Sequence, residues 1–324
     1  MTATQATKNN PAPAKKPMTQ KEIILKNIKR VLACWELWLL ILPGVVYIGI
    51  FSYGPMYGVQ IAFKDFRPSL GIWGSEWVGF KHFLRFFAFP DFWTYIRNTL
   101  IISIYSICTF PTGIIFALMI NELRSQKFKK TVQMLTYAPH FISTVVVCSM
   151  VLLFFNTSYG LINNVRHFFG AENNIAFLEE AKYFRSLYIG SGVWQGLGWS
   201  TIIYLASLAN VPPELIEAAR IDGATRFQIV RYVNIPTIMP TITLLFIMNF
   251  GSVLSVGFEK IFLLQNAFNQ SVSQVLSTYT YHIGLVGAQY SYSSAIGLWN
   301  TAVNILLLII VNAIVAKVTE ISLW

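Results

Sequence analysis

Charge is scarce in this sequence. Its 24 lysines and arginines and 14 aspartates and glutamates bring charged residues to only 12% of 324, where soluble domains carry roughly 25%. Cysteine is scarcer. Cys34, Cys108 and Cys148 are an odd number at wide spacing, which excludes a disulfide framework or a zinc-type ligand set. The four histidines, His82, His140, His167 and His282, stand singly, so no metal-binding cluster is expected. A GxxxxGK[ST] phosphate loop is missing, so the chain does not hydrolyse nucleotide itself. Asp65, Glu76 and Asp91 are dispersed and form no DxD pair, which argues against a membrane-embedded glycosyltransferase.

What the chain has instead is hydrophobic sequence, 55% of the total. It comes in blocks of about twenty residues, long enough for a helix to cross a bilayer. Six spans are expected, at about Cys34–Tyr53, Thr99–Ile120, Thr136–Phe155, Leu187–Ala209, Met239–Gly257 and Ala295–Ala316. The fold class is therefore an all-α integral membrane protein with the lipid bilayer as its solvent. Residues 1–30 read as a disordered basic tail, and 31–324 as the membrane domain. The tail lacks the short apolar core and cleavage site of a signal peptide.

The net charge of +10 does not point to nucleic acid, because the basic residues gather at the ends of apolar blocks. With the N-terminus inside, fifteen of the 24 lysines and arginines fall on cytoplasmic segments. The short loop NELRSQKFKK is the clearest vote. Both termini are then cytoplasmic. The first outside loop is rich in aromatics, and the alternation Tyr57-Val59-Ile61-Phe63 hints at an extended piece.

The spans hold almost no ionisable groups. Glu36 falls at the inner edge of span one, and Glu259 and Lys260 at the outer edge of span five. An ion-coupled transporter usually keeps an ionisable residue at membrane depth, so uphill transport by this chain would need energy from a partner.

The cytoplasmic segment between spans four and five, PPELIEAARIDGATRFQIVRYVNIPTIMP, is far longer than a connection needs. Pro212 and Pro213 suit a first helical turn, and Glu214 and Glu217 follow where the helix N-terminus favours negative charge. Leu215, Ala218 and Ala219 make one narrow, mostly small face. Asp222-Gly223 signals a turn, Thr225 and Gln228 have capping-box spacing for a second helix, and Pro236 and Pro240 punctuate the entry to span five. Two readings remain open on this pattern: a helix lying on its own membrane surface, or a knob presented to a cytosolic protein.

Glu217-Ala218-Ala219, Gly223 and Ile235-Pro236 resemble the EAA loop of ABC-importer permeases, with Ile in place of the usual Leu before the proline. The stretch SYGPMYGVQIAFKDFRPSLGIWGSEWVGF resembles the first outside loop of permeases that import oligo- and polysaccharides, alginate importers in particular. The resemblance covers roughly residues 30–324, with a shared core at about 95–316. It implies a type I importer permease fold in the inner membrane, pairing with a second permease subunit. It also implies two ATPase subunits that bind ATP and magnesium, an extracytoplasmic solute-binding protein and a polysaccharide substrate. This chain would bind no cofactor and supply no catalytic residue. Glu214, Glu217, Ala218, Ala219, Asp222, Gly223, Ala224 and Pro236 would couple to the ATPase. A permease for another small sugar and an ion-coupled secondary transporter are the alternatives.

Sugars need hydrogen-bonding groups and flat apolar faces. The candidates inside spans are Trp194, Gln195 and Trp199 in span four, Asn249 in span five, and Asn300 and Asn304 in span six. Interhelical hydrogen bonding or interface anchoring is the competing reading of each. With no basic residue at membrane depth, neutral hydroxyl recognition is expected in the path.

Overall fold

The computed structural model describes residues 33, 35–319, 322 and 323. The expected basic tail and Cys34 lie outside the described residues. The chain divides between Gly58 and Val59 into two compact units. In the first, helix α1 (Trp35–Ile48) continues through a π-turn, Gly49–Tyr53, into a further helical turn, Gly54–Met56. Pro43 sits inside α1, and none of the side chains of α1 is buried. The segment Tyr57–Phe63 is a 3₁₀ helix rather than the extended piece that its alternation suggested. Each added helical residue gains a backbone bond, and that propagation outweighs a four-position alternation.

The second unit opens with a small hairpin. Strand β1 (Lys64–Asp65) pairs antiparallel with β2 (Glu76–Trp77), with Lys64 opposite Trp77. Burial lowers the pKa of His82 below its usual range, and Nε2 of the neutral ring donates to the Lys64 carbonyl at 3.1 Å. The main helices follow. They are α2 (Lys81–Phe87), α3 (Phe92–Cys108), α4 (Phe110–Asn121), α5 (Gln126–Tyr137), α6 (Thr144–Phe154) and α7 (Leu161–Phe168). After these come α8 (Ala181–Leu208), α9 (Pro213–Ile221), α10 (Arg226–Ile229) and α11 (Ile235–Phe250). The last are α12 (Phe258–Leu264), α13 (Leu276–Tyr281) and α14 (Tyr290–Thr319).

Among the described residues, four helical stretches are long and apolar enough to cross a membrane: Trp35–Phe63, Phe92–Asn121, Arg226–Phe250 and Tyr290–Thr319. The expected third span is not straight. Gln126–Phe141 and Thr144–Phe154 pass the same test only as a pair, and they are bent by 99°. Pro139 lies in a 3₁₀ turn just before the break, and Ser143 re-caps the next helix by accepting from the Val146 amide. The expected fourth span is α8, whose 28 residues are long enough, but its glycines, serines and glutamine keep it outside that apolar set. Three apolar clusters hold the helices together. Ala117, Tyr204, Leu208 and Ile238 join α4, α8 and α11. Ile102, Cys148, Phe184, Ile189 and Ile261 join α3, α6, α8 and α12. Phe86, Phe92, Leu276, Tyr292 and Ile296 join α2, α3, α13 and α14.

Small residues set the closest crossings. A Cβ on Gly198 of α8 would collide with the backbone of Thr136 and lie 2.7 Å from the ring of Tyr137. At Gly113 it would lie 2.6 Å from the Ser200 hydroxyl. Gly190, two turns before Gly198, faces open space. Gly198→Ala is therefore expected to destabilise the protein by about 1–3 kcal/mol. Gly190→Ala should be neutral or stabilising by up to about 1 kcal/mol. Thermal unfolding of the two variants in detergent, side by side, checks the contrast.

Candidate functional site

After α11 the chain does not leave the helical body at once. Residues 251–257 are non-helical, yet Val253 and Leu254 are buried. Three polar groups there meet side chains from neighbouring helices. Ser103 of α3 donates to the Val253 carbonyl. Asn304 of α14 accepts the Leu254 amide at 2.9 Å and donates to the Ser255 hydroxyl at 3.0 Å. Irregular backbone inside a membrane protein survives only when its polar groups are met in this way or line a cavity. Both apply here.

The cavity beside this stretch has a volume of about 640 Å³, within the range of small-molecule sites. Its walls come from α3 and α4 (Ser106, Thr109, Phe110), α8 (Tyr188, Gln195, Ser200), Asn249 of α11, and Glu259 and Lys260 of α12. Hydroxyls and amides alternate there with aromatic rings. A smaller cavity of about 140 Å³ shares Ser106, Tyr188 and Asn249 with it.

The sequence candidates are placed differently from one another. Gln195 and Asn249 reach the large cavity. Gln195 spends one amide hydrogen on the Ile142 carbonyl, 2.9 Å away, and so satisfies the backbone at the bend between α5 and α6. Asn249 donates only within its own helix, to the Leu245 carbonyl at 2.8 Å. Trp194 lines a separate, largely apolar groove of about 390 Å³ with Val147, Met150 and Gly190. Trp199 stacks on His140, with ring centroids 4.2 Å apart. Asn304 is the clamp described above, and the Oδ1 atom of Asn300 is buried without a partner.

Sequence reasoning missed Tyr188, Ser106, Thr109, Ser200 and Tyr204, and it put Lys260 at a membrane edge. The signal was present: Gly192, Gly196 and Ser200, with Tyr188 one turn before, form a stripe at helical spacing along α8. Against the expectation of no basic group in the path, the structure puts Lys260 in the cavity wall. A loop that turns back inward carries its charge with it.

The segment between α8 and α11 has the shape its residues dictate. Helix α9 starts with Pro213 at its first turn and buries no residue outright. Gly223 takes φ +80°, and the Gly223 and Ala224 amides close onto the Arg220 and Ala219 carbonyls. Thr225 and Gln228 complete a capping box at the start of α10. Ile216 packs inward against the cluster around Leu208 and Val211. Ala219 and Ala224 are half-buried; Glu214, Leu215, Glu217, Ala218, Asp222 and Gly223 are exposed, and Ile221 is 86% exposed. The outward apolar line is thus Leu215-Ala218-Ile221, not the expected Leu215-Ala218-Ala219, because Ile216 turns the Ala219 side towards the core. Pro236 does not interrupt the chain: the π-turn Val230–Asn234 takes up the missing bond, and Arg226–Phe250 runs on as one span-length stretch.

The two asparagines separate clamp from cavity lining. Asn304→Ala orphans the buried Leu254 amide, at an expected cost of about 1–3 kcal/mol. Asn249→Ala removes only a bond internal to its helix, so its thermal unfolding in detergent should match that of the unmodified protein.

Residues 109–320 match the family described as binding-protein-dependent transport system inner membrane component. Among similar proteins, the polygalacturonan/rhamnogalacturonan transport system permease protein YteP of Bacillus subtilis (strain 168) is 43% identical over 302 residues. That match covers 93% of this chain and 92% of the relative. Protein LplB of the same organism is 42% identical, covering 89% of this chain and 91% of the relative. Among solved structures, a chain of a bacterial ABC transporter involved in the import of the acidic polysaccharide alginate superimposes with a TM-score of 0.81. It is 38% identical, over 91% of this chain and 99% of that one. Another crystal structure shows a bacterial alginate ABC transporter in complex with an alginate pentasaccharide-bound periplasmic protein. Its matching chain has a TM-score of 0.82 and 37% identity, over 92% of this chain and 99% of that one. The chain belongs to the binding-protein-dependent transport system inner membrane components, the permeases of ABC importers, and has their fold.

Proposed function

We propose that this chain is a membrane-spanning permease subunit of an importer for acidic polysaccharides, with alginate and polygalacturonan fragments as the substrate class. It forms one pathway with a second permease subunit. Two cytoplasmic ATPases bind ATP and Mg²⁺, and an extracytoplasmic binding protein delivers the sugar. This chain supplies no catalytic residue; it supplies part of the path and the mechanical link.

The observation that carries the reading is α9. It starts on Pro213, is closed at its C-terminal end by the Gly223 turn, is anchored inward by Ile216, and carries an outward line that ends in Ile221 at 86% exposure. An isolated nine-residue helix with such a face needs a cover. The acidic residues Glu214, Glu217 and Asp222 flank the line and suit a basic rim on the ATPase. The Gly223 turn and the Thr225 box then tie α9 to the continuous stretch Arg226–Phe250, whose far end carries Asn249 into the cavity. A push on α9 therefore moves one wall of the path.

Gly223 offers the test. A side chain there meets open space in this chain but must adopt a left-handed backbone, at a strain of about 1 kcal/mol or more. Gly223→Val is expected to abolish co-purification with the ATPases and substrate-stimulated ATP hydrolysis, while the variant still inserts and unfolds normally in detergent. Full association and uptake by this variant would sink the coupling reading. Uptake measured across a sugar panel with the cognate binding protein tests the substrate. Preference for a neutral disaccharide would favour the small-sugar permease, and uptake driven by an ion gradient without ATPases would favour a secondary transporter.

A further inference from the structure

Lys260 is only 9% exposed, on α12, in the wall of the 640 Å³ cavity. Its ammonium donates to the Tyr188 carbonyl at 2.8 Å and lies 5.1 Å from the centroid of the Tyr188 ring. A Cβ on Gly192 would come within 3.1 Å of the nitrogen. The charge therefore sits in a notch that exists because position 192 has no side chain. Tyr188 and Gly192 both line the same cavity.

An ammonium has three hydrogens to place, and one carbonyl takes one of them. Among the described residues no carboxylate lies within ion-pair distance of Lys260. Glu259 lines the cavity too but is exposed and forms no ion pair with Lys260. A buried cation without a counterion is costly, and at membrane depth such a group marks the route of a ligand. The fold does not need this charge to hold α12, because Ile261 and Leu264 seat that helix in an apolar cluster and Cys148 reaches the Lys260 backbone carbonyl.

We propose that Lys260 is the carboxylate-recognising group of the path, pairing with one uronate of an acidic oligosaccharide while the hydroxyls of Ser106, Thr109 and Ser200 meet the sugar hydroxyls. A single ammonium is a compact point charge, and one monovalent carboxylate neutralises it. Glu259 on the same wall accepts from hydroxyls and disfavours a second anionic group close by. The Tyr188 and Phe110 rings supply apolar faces for the pyranose. This assignment rests on the acidic-polysaccharide reading above and adds the residue that reads the acid.

The test uses the complete transporter in lipid nanodiscs without its binding protein, so that charge selection by that protein does not enter. Equilibrium binding is measured for trigalacturonate and for its carboxyl-reduced, neutral counterpart. For Lys260→Met, binding of the acid is expected to weaken by about tenfold or more, and binding of the neutral sugar to stay within about twofold. Lys260→Arg is expected to restore most of the preference for the acid. Equal losses for both sugars would show that Lys260 only staples α12 to α8, and unchanged binding of the acid by Lys260→Met would overturn the assignment while the substrate class stands. If the unmodified transporter binds neither sugar, the acidic-polysaccharide reading falls and this assignment falls with it.

Discussion

A backbone amide or carbonyl left unpaired in lipid costs several kcal/mol, and a bilayer offers no water to repair it. Two stretches of this protein leave regular helix inside the packed body and must answer that constraint. At the bend between α5 and α6, the Ile142 carbonyl is taken by Gln195. In the inward turn after α11, Ser103 and Asn304 take the Val253 carbonyl and the Leu254 amide. Three polar side chains on three different helices thus hold open the irregular backbone from which the cavity is built.

The cavity follows from these breaks. Six straight apolar helices would pack closed. The bend brings Thr144 to one side of the space, and the turn after α11 brings α12, with Glu259 and Lys260, to another. Glycines set how near the walls approach: Gly198 lets the bent segment lie directly on α8, while Gly192 leaves the notch for the Lys260 ammonium. The same chain that is nearly free of charge in its spans therefore carries one buried charge, Lys260, into the cavity wall, with the exposed Glu259 beside it.

Much of the segment from Pro212 to Pro240 was legible in its residues, because capping is local chemistry. Pro213, Gly223, Thr225 and Gln228 stand where their backbone preferences require. Which face of α9 points outward was not legible. Leu215, Ala218 and Ala219 satisfy a helical face on paper, but Ile216 has a core cluster to join and rotates the helix by that contact. Pro236 and Pro240 mark the entry to span five in the sequence; Pro236 stands in the first turn of α11, and α11 runs on through Pro240.

By itself the sequence determined the class of solvent, the approximate places of four long apolar helices and the local shape of the segment before span five. Each of those depends on composition, on runs of about twenty residues or on contacts within a few positions. Tertiary structure alone decided which polar residues serve the backbone and which face the cavity. Asn249 and Asn304 are the same residue type in similar apolar surroundings, but only Asn304 lies opposite an orphaned amide, fifty positions away. Lys260 is the sharpest case. Along the chain it lies just past a span, and only the inward turn, held by helices distant in sequence, makes it a buried charge beside open space.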